Sequence, residues 1–175
     1  MILSLFRKKT DTEPVYAVYR AIVAQSRQPV FYAEWGVPDT VTGRFDMISL
    51  HLALLFRRLR GEAKGQRAFS QAVFDLFFAD MDRNLREMGV TDIGVPKKIQ
   101  KMGNIFFGLL AAMNAAMDGD EVRALEVVLA RNIFDGEITD GALALALYLI
   151  AEDGHLAGQS AGAIMAGDLT FGAGT

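Results

Sequence analysis

His51 and His155 are the only histidines in this 175-residue chain, and it has no cysteine. Acid–base and soft-metal chemistry therefore start with little to work with. A hydrolytic pair needs a hydroxyl within reach of an imidazole. The nearest, Ser49, is two residues from His51 and would point elsewhere on a shared helix. His51 sits in the run "MISLHLALLF", so it reads as a hydrogen-bonded core residue rather than a general base. Without thiols, disulfides, thiolate zinc sites and iron–sulfur ligation are excluded, which is consistent with a reducing compartment. The segment "DLFFADMDR" carries Asp75, Asp80 and Asp82, but Arg83 and Arg86 share their face. At helical spacing these are surface ion pairs rather than ligands for a cation. The glycines form neither GxGxxG after a strand nor a Walker loop. No catalytic residue, metal or cofactor is expected. Two basic clusters remain, "RRLR" at 57–60 and "PKKIQK" at 96–101. They read as helix-end and surface charge that can also meet an acidic or phosphate partner.

The elements that must hold these residues are helical. Half the chain is hydrophobic (51%) and only 22% is charged, which excludes disorder and fits a large apolar interior. The length suits one domain with one core. A net charge of -3 gives no long-range attraction for nucleic acid or anionic lipid. The run "IFFGLLAAMNAAM" at 105–117 is far short of the ~20 residues that cross a bilayer. The N-terminal "MILSLFRKK" puts apolar residues before charges, the reverse of a secretory signal, so the chain is expected to stay where it is made.

Residues 1–13 lack periodicity and read as a flexible arm. Tyr16, Tyr19, Ile22 and Val23 recur at helical spacing up to "SRQP"; "VFYAEWG" is one or two turns ending at Gly36; Val37 and Pro38 then force extended backbone. The helix over 47–59 is apolar around most of its circumference and should be central. Phe69, Val73, Phe74, Phe77, Phe78, Met81, Leu85 and Met88 form one stripe on the next helix. Beyond "VTDIGVPKK", a helix runs to about Met117 with Ile99, Met102, Phe106, Leu109, Leu110 and Met113 inward, and another covers 120–133. "ALALALYLIAEDG" alternates like a strand, but alanine favours helix and Thr139 or Asp140 can cap, so helix is expected. The prediction is an all-α, single compact bundle of about six to seven helices. Its domain spans 14–154, followed by a Gly-rich tail over 155–175 with one short helix around 156–166 before fraying.

Two blocks, "GVPDTVTGRFDMISLHLALLFRRL" and "FADMDRNLREMGVTDIGVPKKIQKM", resemble the signature blocks of the ubiquinol-cytochrome c chaperone family, assembly factors of respiratory complex III. The resemblance covers roughly residues 14–155 once helix order is counted. It is carried by the PDT turn leading to GRFD and LH, and by DMDRNLREMGV before the paired lysines. Pro96 stands where that family commonly has glycine. The resemblance implies a non-enzymatic chaperone that binds newly synthesised cytochrome b while it is inserted and loaded with haem. Mitochondrial members carry a long targeting extension not seen here and work at the ribosomal exit tunnel. A bacterial-type member at the cytoplasmic face of the inner membrane is implied, with ribosome contact as a further partner.

Physically, Pro38 fixes the turn, the Asp39 or Thr40 side chain can satisfy backbone N–H groups, Thr42 can cap, and Gly43 permits close approach. Arg44 and Asp46 bracket Phe45, which can dock inward. Such a turn either locks the third helix against the first or frames an apolar groove for a hydrophobic client segment. The candidate contacts are Tyr32, Trp35, Asp39, Arg44, Phe45 and His51, with Arg57, Arg58, Lys97 and Lys98 from the basic clusters. Eight methionines and twelve phenylalanines supply adaptable apolar side chains. The competing reading is an RNA- or ribosome-associated factor using the basic helix ends. The segment Met1 to Lys9 reads either as a frayed terminus or as a peripheral membrane contact. DNA is not an expected partner.

Overall fold

The helix that is apolar around most of its circumference is the central one. In the computed structural model, described for residues 12–61 and 64–172, α3 (Val41–Arg58) is buried along nearly its whole length from Phe45 to Leu55. Around it lie α1 (Glu13–Ser26), α4 (Lys64–Glu87), α5 (Gly94–Asp118) and α7 (Asp140–Ala157), with α6 (Val122–Ile133) packed on α5 and α7. Two five-residue helices, α2 (Pro29–Ala33) and α8 (Ala161–Met165), complete the order. The all-α expectation holds: six long helices and two single turns, with no strand among the described residues. Arg57 meets Asp153 and His51 meets Tyr148, so α3 and α7 run parallel.

The stripe on α4 turns into the core, where it packs mainly on α1 and α5 and also meets α3. Val73, Phe77, Met81 and Leu85 are buried; Phe69, Phe74 and Phe78 are half-buried against the same core. The Phe77 ring stacks on Phe45 with centroids 5.4 Å apart, and Tyr19 of α1 closes its other side at 6.4 Å. Met88, predicted inward, is instead 53% exposed, because α4 ends at Glu87 before that position can turn under a neighbour. The alternating segment is helical, and Thr139 caps α7 by accepting the Ala142 N–H at 3.1 Å.

The turn before α3 is capped by Thr40, whose extended backbone lets its Oγ1 accept the Gly43 N–H at 3.1 Å. Thr42 lies inside the first turn and is no cap. Gly43 is required here: a Cβ at that position would sit 1.9 Å from the Pro38 carbonyl oxygen. Gly36, at φ +74°, takes the left-handed conformation that lets the chain leave α2.

Beyond α8, as far as Gly172, the chain packs back onto the bundle. Leu169 is buried, Phe171 sits edge-on to His51 at 5.2 Å, and the Gly172 N–H donates to Glu152 at 3.0 Å. Gln159 grips Thr170 through its backbone carbonyl and N–H. The membrane contact anticipated for Met1 to Lys9 lies outside the described residues.

Candidate functional site

Where α3 begins and α4 ends, the two helices part and leave an apolar groove of about 310 Å³. Phe45 and Ile48 from α3 and Met81 and Leu85 from α4 line it. All four are nearly buried by the fold, so they form a floor rather than projecting from it. Val41, 60% exposed, and Met88, 53% exposed, stand at its edges, and Met102 reaches in from α5. The accessible apolar surface is thus contributed mainly by the rim residues Val41 and Met88. Thioether side chains reshape easily, so three methionines around the floor give it tolerance for different contours.

A second, shallower hollow of about 430 Å³ adjoins it and is lined by Pro29, Tyr32 and Asp39; Arg27 and Arg44 border both. Arg44 donates to Asp39 at 2.7 Å, and the arginine holds that carboxyl below its usual range. The pair is exposed, so it defines the shape of the ridge more than it stabilises the fold. Tyr32 donates to the Ser26 carbonyl at 2.8 Å, tying α2 to the end of α1. Across the groove, Asp80 accepts from the Tyr19 hydroxyl at 2.8 Å and pairs with Arg83, while Arg86 pairs with Asp82 at 2.6 Å. Asp80 and Asp82 are thus engaged in ion pairs, as their spacing implied, whereas Asp75 accepts from the Gln71 amide at 2.7 Å.

The structure sorts the sequence-derived contacts. Tyr32, Asp39 and Arg44 gather beside the groove, and Phe45 is part of its floor. Trp35 turns away. Its ring packs against Phe31 at 5.3 Å and Tyr148 at 5.7 Å, and its carbonyl lies so close to α7 that a Cβ on Gly141 would approach it to 1.8 Å. It wedges α2 against α7 and frames no groove.

His51 is removed from any surface, being wholly buried. Its Nδ1 is 2.7 Å from the Met47 carbonyl and its Nε2 is 2.8 Å from the Tyr148 hydroxyl. The carbonyl only accepts, so Nδ1 carries the proton. The Tyr148 oxygen accepts from Gln25 at 2.9 Å and therefore gives its own proton to Nε2. The imidazole is neutral, and burial lowers its pKa to about 4. It is a core residue and not a partner contact. Asp46, expected to flank the turn, is also buried, and burial raises its carboxyl to about 7; it has no ion-pair partner among the described residues.

The first basic cluster is a joint. Arg57, with its side chain 6% exposed, donates to Asp153 through Nε at 3.1 Å and through Nη1 to Asn114 at 2.8 Å and Asp118 at 3.0 Å. Arg58 donates to the carbonyls of Leu156 and Gln159, and Arg60 reaches Asp118 at 3.2 Å. These contacts bind the end of α3 to α5 and α7, with Asp118 and Asp153 facing Arg57 and Arg60. Lys97 and Lys98 are exposed in the first turn of α5 and line neither hollow. Among the described residues no group of three or more histidines, aspartates or glutamates is placed to hold a metal, and no helix is long and apolar enough to cross a membrane.

Sequence reasoning missed Arg27, Val41, Ile48, Met88 and Met102 as groove residues. The available signal was that the α4 stripe continues to Met88, the end of the periodic pattern.

Comparison with known proteins gives three likenesses. Residues 33–171 match the family described as Ubiquinol-cytochrome C chaperone. A Xenopus laevis protein named ubiquinol-cytochrome-c reductase complex assembly factor 1 is 20% identical over 123 residues, 70% of this chain and 61% of that protein. The chain thus spans about three-fifths of the length of that relative. The crystal structure of the Cbp3 homolog from Brucella abortus is 41% identical, with 99% of this chain and 98% of that one covered and a TM-score of 0.87.

Proposed function

The chain belongs to the ubiquinol-cytochrome C chaperone family, and on that premise we propose that it is a non-catalytic assembly chaperone for respiratory complex III that binds newly made cytochrome b. The name of the Xenopus relative supports the complex, and the likeness to the Brucella protein supports a bacterial setting. The observation that carries the client-binding part is the open apolar groove between the start of α3 and the end of α4, with its methionine-rich margin. A chaperone for a membrane protein needs a surface that tolerates apolar side chains without a fixed outline, and this groove has that character. The work would be done at the cytoplasmic face of the inner membrane, from the membrane periphery. The RNA-binding alternative loses its main support with the "RRLR" arginines, which are engaged within the fold.

Photo-crosslinking in cells assembling complex III tests this. A crosslinker placed at Val41 or Met88 should capture cytochrome b, whereas one at Val127, a comparably exposed apolar residue of α6, should not. Equal capture from Val127, or capture of other chains only, would overturn the assignment.

A further inference from the structure

The groove's length and the charges on its walls restrict what enters it; this extends the client-binding reading above. One wall runs from Val41 to Ile48 on α3 and the other from Asp80 to Glu87 on α4, with Met88 just beyond its end. At 1.5 Å per residue, each is about 10–12 Å long, or two helical turns. A bilayer-spanning helix has roughly 30 Å of apolar length, so most of one would overhang. The volume, about 310 Å³, lies at the low end of the roughly 300–1,000 Å³ common for ligand sites. The groove therefore does not shelter a membrane span.

The form of the occupant follows from the walls. Both are helices whose backbone groups are already paired, so an extended peptide would find no strand edge to join. A helical occupant satisfies its own backbone and offers side chains at i, i+3 or i+4, and i+7 to a groove of this length. The margins differ in sign: Arg27 and Arg44 on the α1 and α3 side, Asp80 and Glu87 on the α4 side. Arg44 and Asp80 already have partners, whereas Arg27 and Glu87 have no ion pair among the described residues.

We infer that the groove takes a two-turn amphipathic helical segment of a partner protein, apolar toward Phe45, Ile48, Met81 and Leu85, with an acidic residue toward Arg27 and a basic one toward Glu87. Such a segment has the pattern of an interfacial amphipathic helix, which makes this protein a reader of a short helical mark.

Fluorescence anisotropy with the full chain tests the inference. The probes are a labelled, side-chain-stapled helical peptide of about three turns with that pattern, a scrambled peptide of equal composition, and a proline-interrupted version. The stapled peptide should bind at least about tenfold tighter than either control. Arg27→Glu, a change at an exposed position, should weaken it about tenfold, and replacing the peptide's acidic residue by lysine should restore binding to that variant. Equal binding of scrambled and stapled peptides, or no effect of the charge reversal, overturns the inference. If cytochrome b is still captured in cells in that case, only the helix-and-charge rule falls. If the peptide rule holds and another chain is captured, the client assignment falls instead.

Discussion

Asp46→Asn should make folding sensitive to mild acid where the unaltered protein is nearly indifferent. Two buried groups titrate in opposite senses. Neutral His51 has its pKa depressed from 6.5 to about 4 by burial. Below pH 6.5 the unfolded chain takes up a proton that the fold refuses, so stability falls until about pH 4, by roughly 3 kcal/mol in all. Asp46 has its carboxyl raised from 3.8 to about 7, again by burial. Above pH 3.8 the unfolded chain loses a proton that the fold retains, so stability falls as pH rises to 7, by at most about 4 kcal/mol. Between pH 4 and 6.5 the two slopes nearly cancel. The ion-paired Asp39 and Asp118, both lowered by arginines, act only below 3.8 and leave this window clear. Urea unfolding at half-unit steps from pH 4.5 to 7.5 reads the balance. Asp46→Asn should lose stability steadily on acidification from pH 6.5 and should exceed the unaltered chain at pH 7.5. A flat profile in Asp46→Asn would refute the neutral, buried state of His51, and an unaltered chain already as steep would refute the raised carboxyl of Asp46.

Phe77→Asp should abolish folding, since a carboxylate would replace a fully buried ring stacked on Phe45, at a cost of several kcal/mol. A cooperative melt at unchanged temperature in circular dichroism would contradict it. Trp35→Ala should lower stability by about 2 kcal/mol through lost packing on Phe31 and Tyr148, while crosslinking from Met88 at low temperature stays as before. Arg57→Met should cost about 2–4 kcal/mol in chemical denaturation by stranding Asp153 and Asn114, with little salt-dependent change in binding to any RNA.

Much of the bundle was legible because burial imposes a period on sequence. Phe77, Phe106 and Leu129 each belong to a stripe of spacing 3 and 4, and each lands in the core. Alanine preference and Thr139 resolved α7 although its leucines alternate. What escaped depends on partners far along the chain. Arg57 finds Asp153 across 96 positions and Asp118 across 61, and no local pattern distinguishes such an arginine from one facing water. Trp35 looked like a groove residue because its neighbours Tyr32 and Asp39 are; its direction is set by Tyr148 and Gly141, which are remote in sequence. The groove itself exists because the start of α3 and the end of α4 part, a fact about two helix ends that neither segment records alone. Thr40 and Thr42 were not separable as caps without knowing where the extended backbone stops.

The parallel pairing of α3 with α7 also bears on biosynthesis. Two parallel neighbours cannot be joined by a tight hairpin, and here α4, α5 and α6 are made in between. The leucine-rich flank of α3 must therefore wait uncovered while residues 59–139 leave the ribosome, several seconds or more at about 5–20 residues per second. For that interval the nascent chain displays an oily helix of its own, the kind of surface that invites sticking to neighbours.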